Sequence, residues 1–96
     1  MTRAKDNLLA RTYKVHGRVQ GVGFRYFTKE NADALGIRGY VRNEDDGGVF
    51  IYAVGDPPAM NRFAAAVHSG PHHAEVRTVE EKEAPLQKFS SFRIEA

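Results

Sequence analysis

Between Arg11 and His16 the side chains alternate, with Tyr13 and Val15 on one side and Thr12, Lys14 and His16 on the other, the period of a half-buried strand. Gly17, Gly21 and Gly23 follow within seven positions, where the backbone must turn tightly or approach something closely. Phe24, Phe27, Thr28, Asn31 and Leu35 then recur at helical spacing, and Gly36 sits where a left-handed C-cap would end that helix. Two β-rich runs, Ile37 to Asn43 and Gly48 to Val54, flank Glu44-Asp45-Asp46-Gly47, a turn composition, so they predict a hairpin. Behind Asp56, Pro57 and Pro58 open a second helix in which Met60, Phe63, Ala64 and Val67 share a face, and Ser69-Gly70-Pro71 closes it. From Ala74 to Lys82 a polar strand carries Val76 and Val79 out of strict alternation, which predicts a bulge or an edge position. A short last strand around Ser91 to Glu95 is expected to point Phe92 and Ile94 inward.

The order β-α-β-β-α-β with a fifth strand is that of an α+β, ferredoxin-like βαββαβ sandwich: one mainly antiparallel sheet with both helices on one face. Residues 1–9 read as a flexible N-terminal tail and 10–96 as one domain, since 96 residues leave room for a single core. Phe50, Tyr52 and Val54 lie on the opposite face of their strand from Val49, Ile51 and Ala53. With helices on one side only, those aromatics are expected to face outward.

Composition narrows the classes. Hydrophobic residues at 42% and charged residues at 27% suit a soluble globular chain, and a formal charge of +2 is too small to argue for nucleic acid. No cysteine is present, which excludes disulfides, a thiolate nucleophile and cysteine-ligated metal. The longest apolar run, Val49 to Val54, is far below the ~20 residues of a membrane span, and no apolar leader opens the chain, so a cytoplasmic location is expected. His68 and His72 are four apart, but Gly70 and Pro71 break the helix that would pair them, so no metal is expected there. His16 reads as a solvent-facing neighbour of the loop, and His73 as exposed. Glu80, Glu81 and Glu83 read as a solvated strand edge.

The candidate chemistry lies in the glycine loop. Gly17-Arg18-Val19-Gln20-Gly21-Val22-Gly23-Phe24-Arg25 joins a strand to a helix, so its amides and the helix N-terminus can converge on an anion. Arg25 lies in the first turn, where a cation opposes the macrodipole unless a negative charge such as a phosphate compensates it. A tight turn with a solvated Arg25 is the other reading of the same residues, and both stay open at this point. The spacing matches neither a Walker loop nor a dinucleotide fingerprint. Arg18 either steers an anion or is simply exposed.

The string VHGRVQGVGFR, from Val15 to Arg25, resembles the first signature of the acylphosphatase family, and GYVRNEDDGGVFIYAVG, from Gly39 to Gly55, resembles the second. Their order and spacing fit, and the resemblance runs in outline over nearly the whole chain. It implies the same ferredoxin-like sandwich and hydrolysis of the carboxyl-phosphate bond of acyl phosphates to carboxylate and inorganic phosphate, with no metal or other cofactor. It further implies that Arg25 grips the phosphoryl group with Gln20, Gly21, Val22, Gly23 and Phe24 as the cradle, and that Asn43 positions the attacking water. By itself Asn43 reads as a strand-end or turn residue. Many relatives have a small hydroxyl residue after that asparagine, whereas this chain has Glu44. A free-standing monomeric enzyme is expected, with no membrane or nucleic-acid partner. The alternatives are an RNA-binding module stacking bases on Phe50 and Tyr52, and an anion-binding regulatory domain without turnover.

Overall fold

The computed structural model describes residues 7–96. Its elements run β1 (Leu9–Arg18), α1 (Phe24–Leu35), β2 (Arg38–Asn43), β3 (Val49–Gly55), α2 (Pro57–Ser69), β4 (Glu75–Glu83) and β5 (Phe92–Glu95). The five strands form one sheet in the order β4-β1-β3-β2-β5. Three pairings are antiparallel, and β5 joins β2 in parallel. This is the expected ferredoxin-like α+β sandwich with a fifth strand added beyond β2. The first strand is longer than the alternation indicated and starts at Leu9, a residue assigned to the tail; residues 1–6 of that tail lie outside the described residues.

The main core is where the alternating faces meet the helical stripes. Tyr13 and Val15 of β1, Ile51 of β3 and Phe92 of β5 are buried against Phe24 and Ala32 of α1 and Met60, Phe63 and Val67 of α2. Phe63 stacks edgewise on Tyr13 at 5.6 Å and on Phe92 at 6.1 Å, so one α2 ring ties an inner strand to the far edge. Burying the Tyr13 hydroxyl pushes its pKa up to about 12. Helix α1 ends at Gly36 in the left-handed region, and α2 starts under Asp56, whose side chain accepts the Ala59 N–H at 3.0 Å. The irregular spacing of Val76 and Val79 has a clear cause. His16 pairs with Thr78 but Gly17 with Val76, leaving Arg77 as an extra residue of edge strand β4, so both valines reach the core. Along that edge Glu80 pairs with His16 at 2.7 Å on the helix-free face and Glu81 with His68 of α2 at 2.8 Å on the helix face.

Two expectations about faces are overturned. β4 and β5 are opposite edges, so residues 84–91 must cross the sheet, and they cross its helix-free face. Tyr52 and Val54 are buried there with Ala10, under Ala84 and Phe89. The Tyr52 hydroxyl accepts the Gln87 N–H at 2.8 Å and donates to Pro85 O at 2.5 Å, pinning the strap. Tyr52 therefore does not face outward. Phe50 remains partly exposed, with the Arg42 guanidinium 4.9 Å from its ring centroid. Ile94 is not inward either. It shares the helix side of the sheet with buried Phe92, but it is 40% exposed, beside the first turn of α1, from which Arg25 reaches Glu95 O.

Candidate active site

The loop between β1 and α1 leaves α1 without a conventional start. Its N-cap is Gly23, with φ +79°, no side-chain cap and no acidic residue in the first turn. Gly21 is also left-handed, at φ +74°, and a Cβ on either glycine would meet nothing within 4 Å. Glycine is required here by backbone conformation rather than by crowding. The first helical hydrogen bond is Phe27 N–H to Gly23 O at 3.0 Å, and none of the amides from Gln20 to Tyr26 donates to a backbone oxygen of the described residues. Unpaired donors at a helix N-terminus make a positive-ended cradle.

A cavity of about 200 Å³ opens at this point, lined by Val19, Gly21, Gly23, Phe24, Arg25, Tyr26, Asn43 and Ile94. Arg25 Nη1 donates to Glu95 O at 3.0 Å, and no carboxylate of the described residues lies within ion-pair distance of the guanidinium. The tether fixes one side of the group and leaves its charge uncompensated. Asn43, at the end of β2, carries a buried Oδ1 that has no hydrogen-bond partner. A buried carbonyl oxygen without a donor is costly, and in a polar cavity it marks a place for a water or a ligand. A larger cavity of about 640 Å³ lies at the other end of the sheet, among Leu35, Arg38, Val54 and Phe89. It is mainly apolar, and the Ala59 amide at the start of α2 is already capped by the Asp56 side chain, so the smaller cavity, with its unpaired donors, is the candidate for anion chemistry.

Comparison with known proteins decides the family: a model described as acylphosphatase matches residues 11–94. The chain belongs to the acylphosphatase family. The acylphosphatase of Archaeoglobus fulgidus is 51% identical over 87 residues, covering 91% of this chain and 98% of that protein. The acylphosphatase of Solibacter usitatus is 48% identical, covering 88% of each. Among solved structures, an acylphosphatase from Coxiella burnetii superposes with a TM-score of 0.92 at 30% identity, over 99% of this chain and 100% of that one.

Within this acylphosphatase fold, five of the seven residues marked in the sequence, Gly21, Gly23, Phe24, Arg25 and Asn43, line one cavity. Gln20 and Val22 do not. Val22 packs on the core, while Gln20 Nε2 donates to Glu44 O at 2.8 Å and Gly48 O at 2.9 Å. Gln20 thus fastens the loop to the hairpin turn that follows Asn43. Arg18 is exposed and does not line the cavity.

Glu44, the departure from the usual hydroxyl residue, has a structural place as well. Its carboxylate meets Lys14 Nζ at 2.5 Å and Arg42 Nη2 at 3.3 Å, and Lys14 also reaches Asp46 at 2.8 Å. The Lys14 ammonium holds both carboxyls below the ordinary carboxylate range, and Asp46, then Glu44, push the lysine up. Sequence reasoning missed Val19, Tyr26 and Ile94 as cavity residues. Ile94 was expected in the core, Tyr26 lies off the apolar stripe of α1 and Val19 sits in a loop without a period, so only the path of that loop brings the three to the cavity.

Proposed function

We propose that this chain hydrolyses acyl phosphates at that cavity, with Arg25 and the loop amides binding the phosphoryl group and Asn43 holding the attacking water. The observation that carries the reading is the orphaned Asn43 Oδ1 beside an uncapped helix N-terminus and an uncompensated guanidinium. Membership of the family supports the reaction. The loose transition state of phosphoryl transfer spreads charge over three equatorial oxygens, which fixed N–H donors and one guanidinium fork stabilise without reorganising. Nη2 and Nε remain after the Glu95 tether, and amides from Gly21 to Arg25 supply the other donors.

Asn43 Oδ1 accepts a hydrogen of the water, whose oxygen attacks phosphorus as the bond from phosphorus to the carboxyl oxygen breaks. The electron pair leaves with the carboxylate, and the water's proton passes to the phosphate. A carboxylic acid of pKa ~4 to 5 leaves without protonation at neutral pH, so no general acid is needed. The positive potential comes from the chain itself, so the mechanism calls for no metal. A monomeric state and a cytoplasmic location form part of this proposal; sedimentation and cell fractionation test them.

The direct test is release of carboxylate and phosphate from benzoyl phosphate in excess chelator. Turnover is expected to persist; its loss on chelation, with recovery on adding metal, overturns the metal-independent reading. Binding of phosphate without turnover would instead favour the regulatory domain. The RNA-binding reading loses its support in the structure, because Tyr52 lies beneath Phe89.

A further inference from the structure

The larger cavity, of about 640 Å³, falls within the roughly 300–1,000 Å³ of sites that enclose small organic molecules. It lies at the opposite end of the sheet from Asn43, where Arg38 opens β2 and Gly55 closes β3. Its apolar walls come from separate parts of the chain: Leu8 before β1, Leu35 at the end of α1, Val54 of β3 and Phe89 of the strap. Protein interiors pack without such hollows, and ordered water needs more polar partners than these walls supply.

The polar groups around it are few, and they favour one charge. The start of α2 offers no free donor. Pro57 and Pro58 have no N–H, the Ala59 N–H is taken by Asp56 Oδ1 at 3.0 Å, and the Met60 N–H by Asp56 O at 2.9 Å. A phosphoryl cradle of amides is therefore missing here, and the Asp56 charge is offset by the positive end of the helix it caps. Arg38 and Lys88 also line the cavity; both are exposed, and neither forms an ion pair among the described residues. Arg38 Nη1 reaches Phe89 O at 3.4 Å, which holds the guanidinium to the strap next to Lys88. Two cations without counter-ions at the mouth of an apolar hollow are complementary to a molecule with an apolar body and one anionic end. Leu35 and Gly36 bring the negative end of α1 to the same cavity, which turns that anionic end toward the strap. The first six residues join Leu8 through Asn7, but they carry Arg3 and Lys5 against one Asp6, the wrong charge for this rim.

We propose that the cavity is a second ligand site, which binds a small amphipathic carboxylate with its apolar body among Leu35, Val54 and Phe89 and its carboxylate between Arg38 and Lys88. A planar carboxylate suits the guanidinium fork, and the ammonium adds a point charge beside it. No bond is made or broken there. The site stands whether or not the chain hydrolyses acyl phosphates.

The experiment titrates isotope-labelled protein with naphthoate and follows the backbone amides by NMR. The amides of Gly36, Gly55, Phe89 and Ser90 are expected to shift saturably; shifts from Gly21 to Arg25 report binding in the other cavity and are scored separately. Neutral naphthol should bind at the same place roughly tenfold more weakly, the value of one charge-assisted hydrogen bond. Arg38→Gln and Lys88→Gln, both at exposed positions, should each weaken naphthoate several-fold and leave naphthol unchanged, with unfolding midpoints recorded in parallel. An absence of saturable shifts at the cavity amides, or equal affinity for naphthoate and naphthol, overturns the proposal. Contacts from residues 1–6 to Val54 and Phe89 in the free protein also overturn it, since the chain's own terminus is then the occupant. Shifts of the same amides with protein concentration alone do so too, because they make a second copy the occupant.

Discussion

Replacing Arg25 with lysine keeps the charge and removes the fork. In the native structure Nη1 is spent on Glu95 O at 3.0 Å, and this tether sets the plane from which Nη2 and Nε can face a phosphoryl group with two parallel bonds. A lysine ammonium is a point donor with no such plane, and it must choose between Glu95 O and the ligand. The substitution therefore costs at least one charge-assisted hydrogen bond, worth about 1.5–3 kcal/mol. At 1.4 kcal/mol per factor of ten, kcat/KM should fall by about 10–10²-fold. The assay is the initial rate on benzoyl phosphate across a substrate series, with inorganic phosphate as competitive inhibitor and unfolding measured in parallel. Phosphate inhibition should weaken together with kcat/KM, since the same bonds hold both. Activity within about threefold of wild type, with phosphate inhibition intact, would refute the bidentate role.

Asn43→Ala should lower kcat by about 10²–10³-fold, the effect of removing one aligned polar group, with phosphate inhibition nearly unchanged; an unaltered kcat removes Asn43 from the reaction. Gln20→Ala removes two bonds to carbonyls that keep backbone donors from Gly47 and Glu44. It should cost about 1–2 kcal/mol of stability in denaturant unfolding and lower kcat without weakening phosphate inhibition. Tyr52→Phe should cost about 1 kcal/mol and speed hydrogen exchange at the Gln87 amide, and unchanged exchange would show that the strap is held by its apolar contacts alone. The Lys14 cluster sets a pH dependence. Glu44 and Asp46 have lowered pKa values when folded, so their stabilisation is present above the ordinary carboxylate range and is lost as pH falls through the depressed values. Lys14, raised by the same contacts, contributes below its ordinary value and loses that contribution as pH rises past the raised one. Unfolding midpoints of Lys14→Met against pH should show a flatter acid limb, and an identical limb would show that the pairs contribute nothing.

Most of the architecture is written in local periods. The alternation in β1, the helical stripe ending at Gly36 and the Asp56-Pro57-Pro58 start of α2 all depend on neighbours a few residues away, where propensity and capping act. Even the bulge is legible, because Val76 and Val79 can share a face only if one residue between them is left over. What periodicity cannot show is cover supplied from far along the chain. Tyr52 looks outward until residues 84–91, which have no period of their own, are laid over it. Ile94 looks inward until the loop before α1 leaves a cavity open beside it. In the site, Arg25 and Asn43 were visible through their signatures. The turning of Gln20 to the hairpin, and the pairing of Glu44 with Lys14 from 30 residues away, depend on strand register that no short motif encodes.

The account stands on an anion seated at the α1 N-terminus, and a crystal structure of the protein with bound phosphate examines that seat directly. The prediction is a tetrahedral anion within about 2.7–3.1 Å of amides between Gly21 and Arg25 and of the Arg25 guanidinium, with Asn43 Oδ1 facing it across one water. An anion bound elsewhere, or a cavity left without it while Arg25 holds only Glu95 O, would contradict the account.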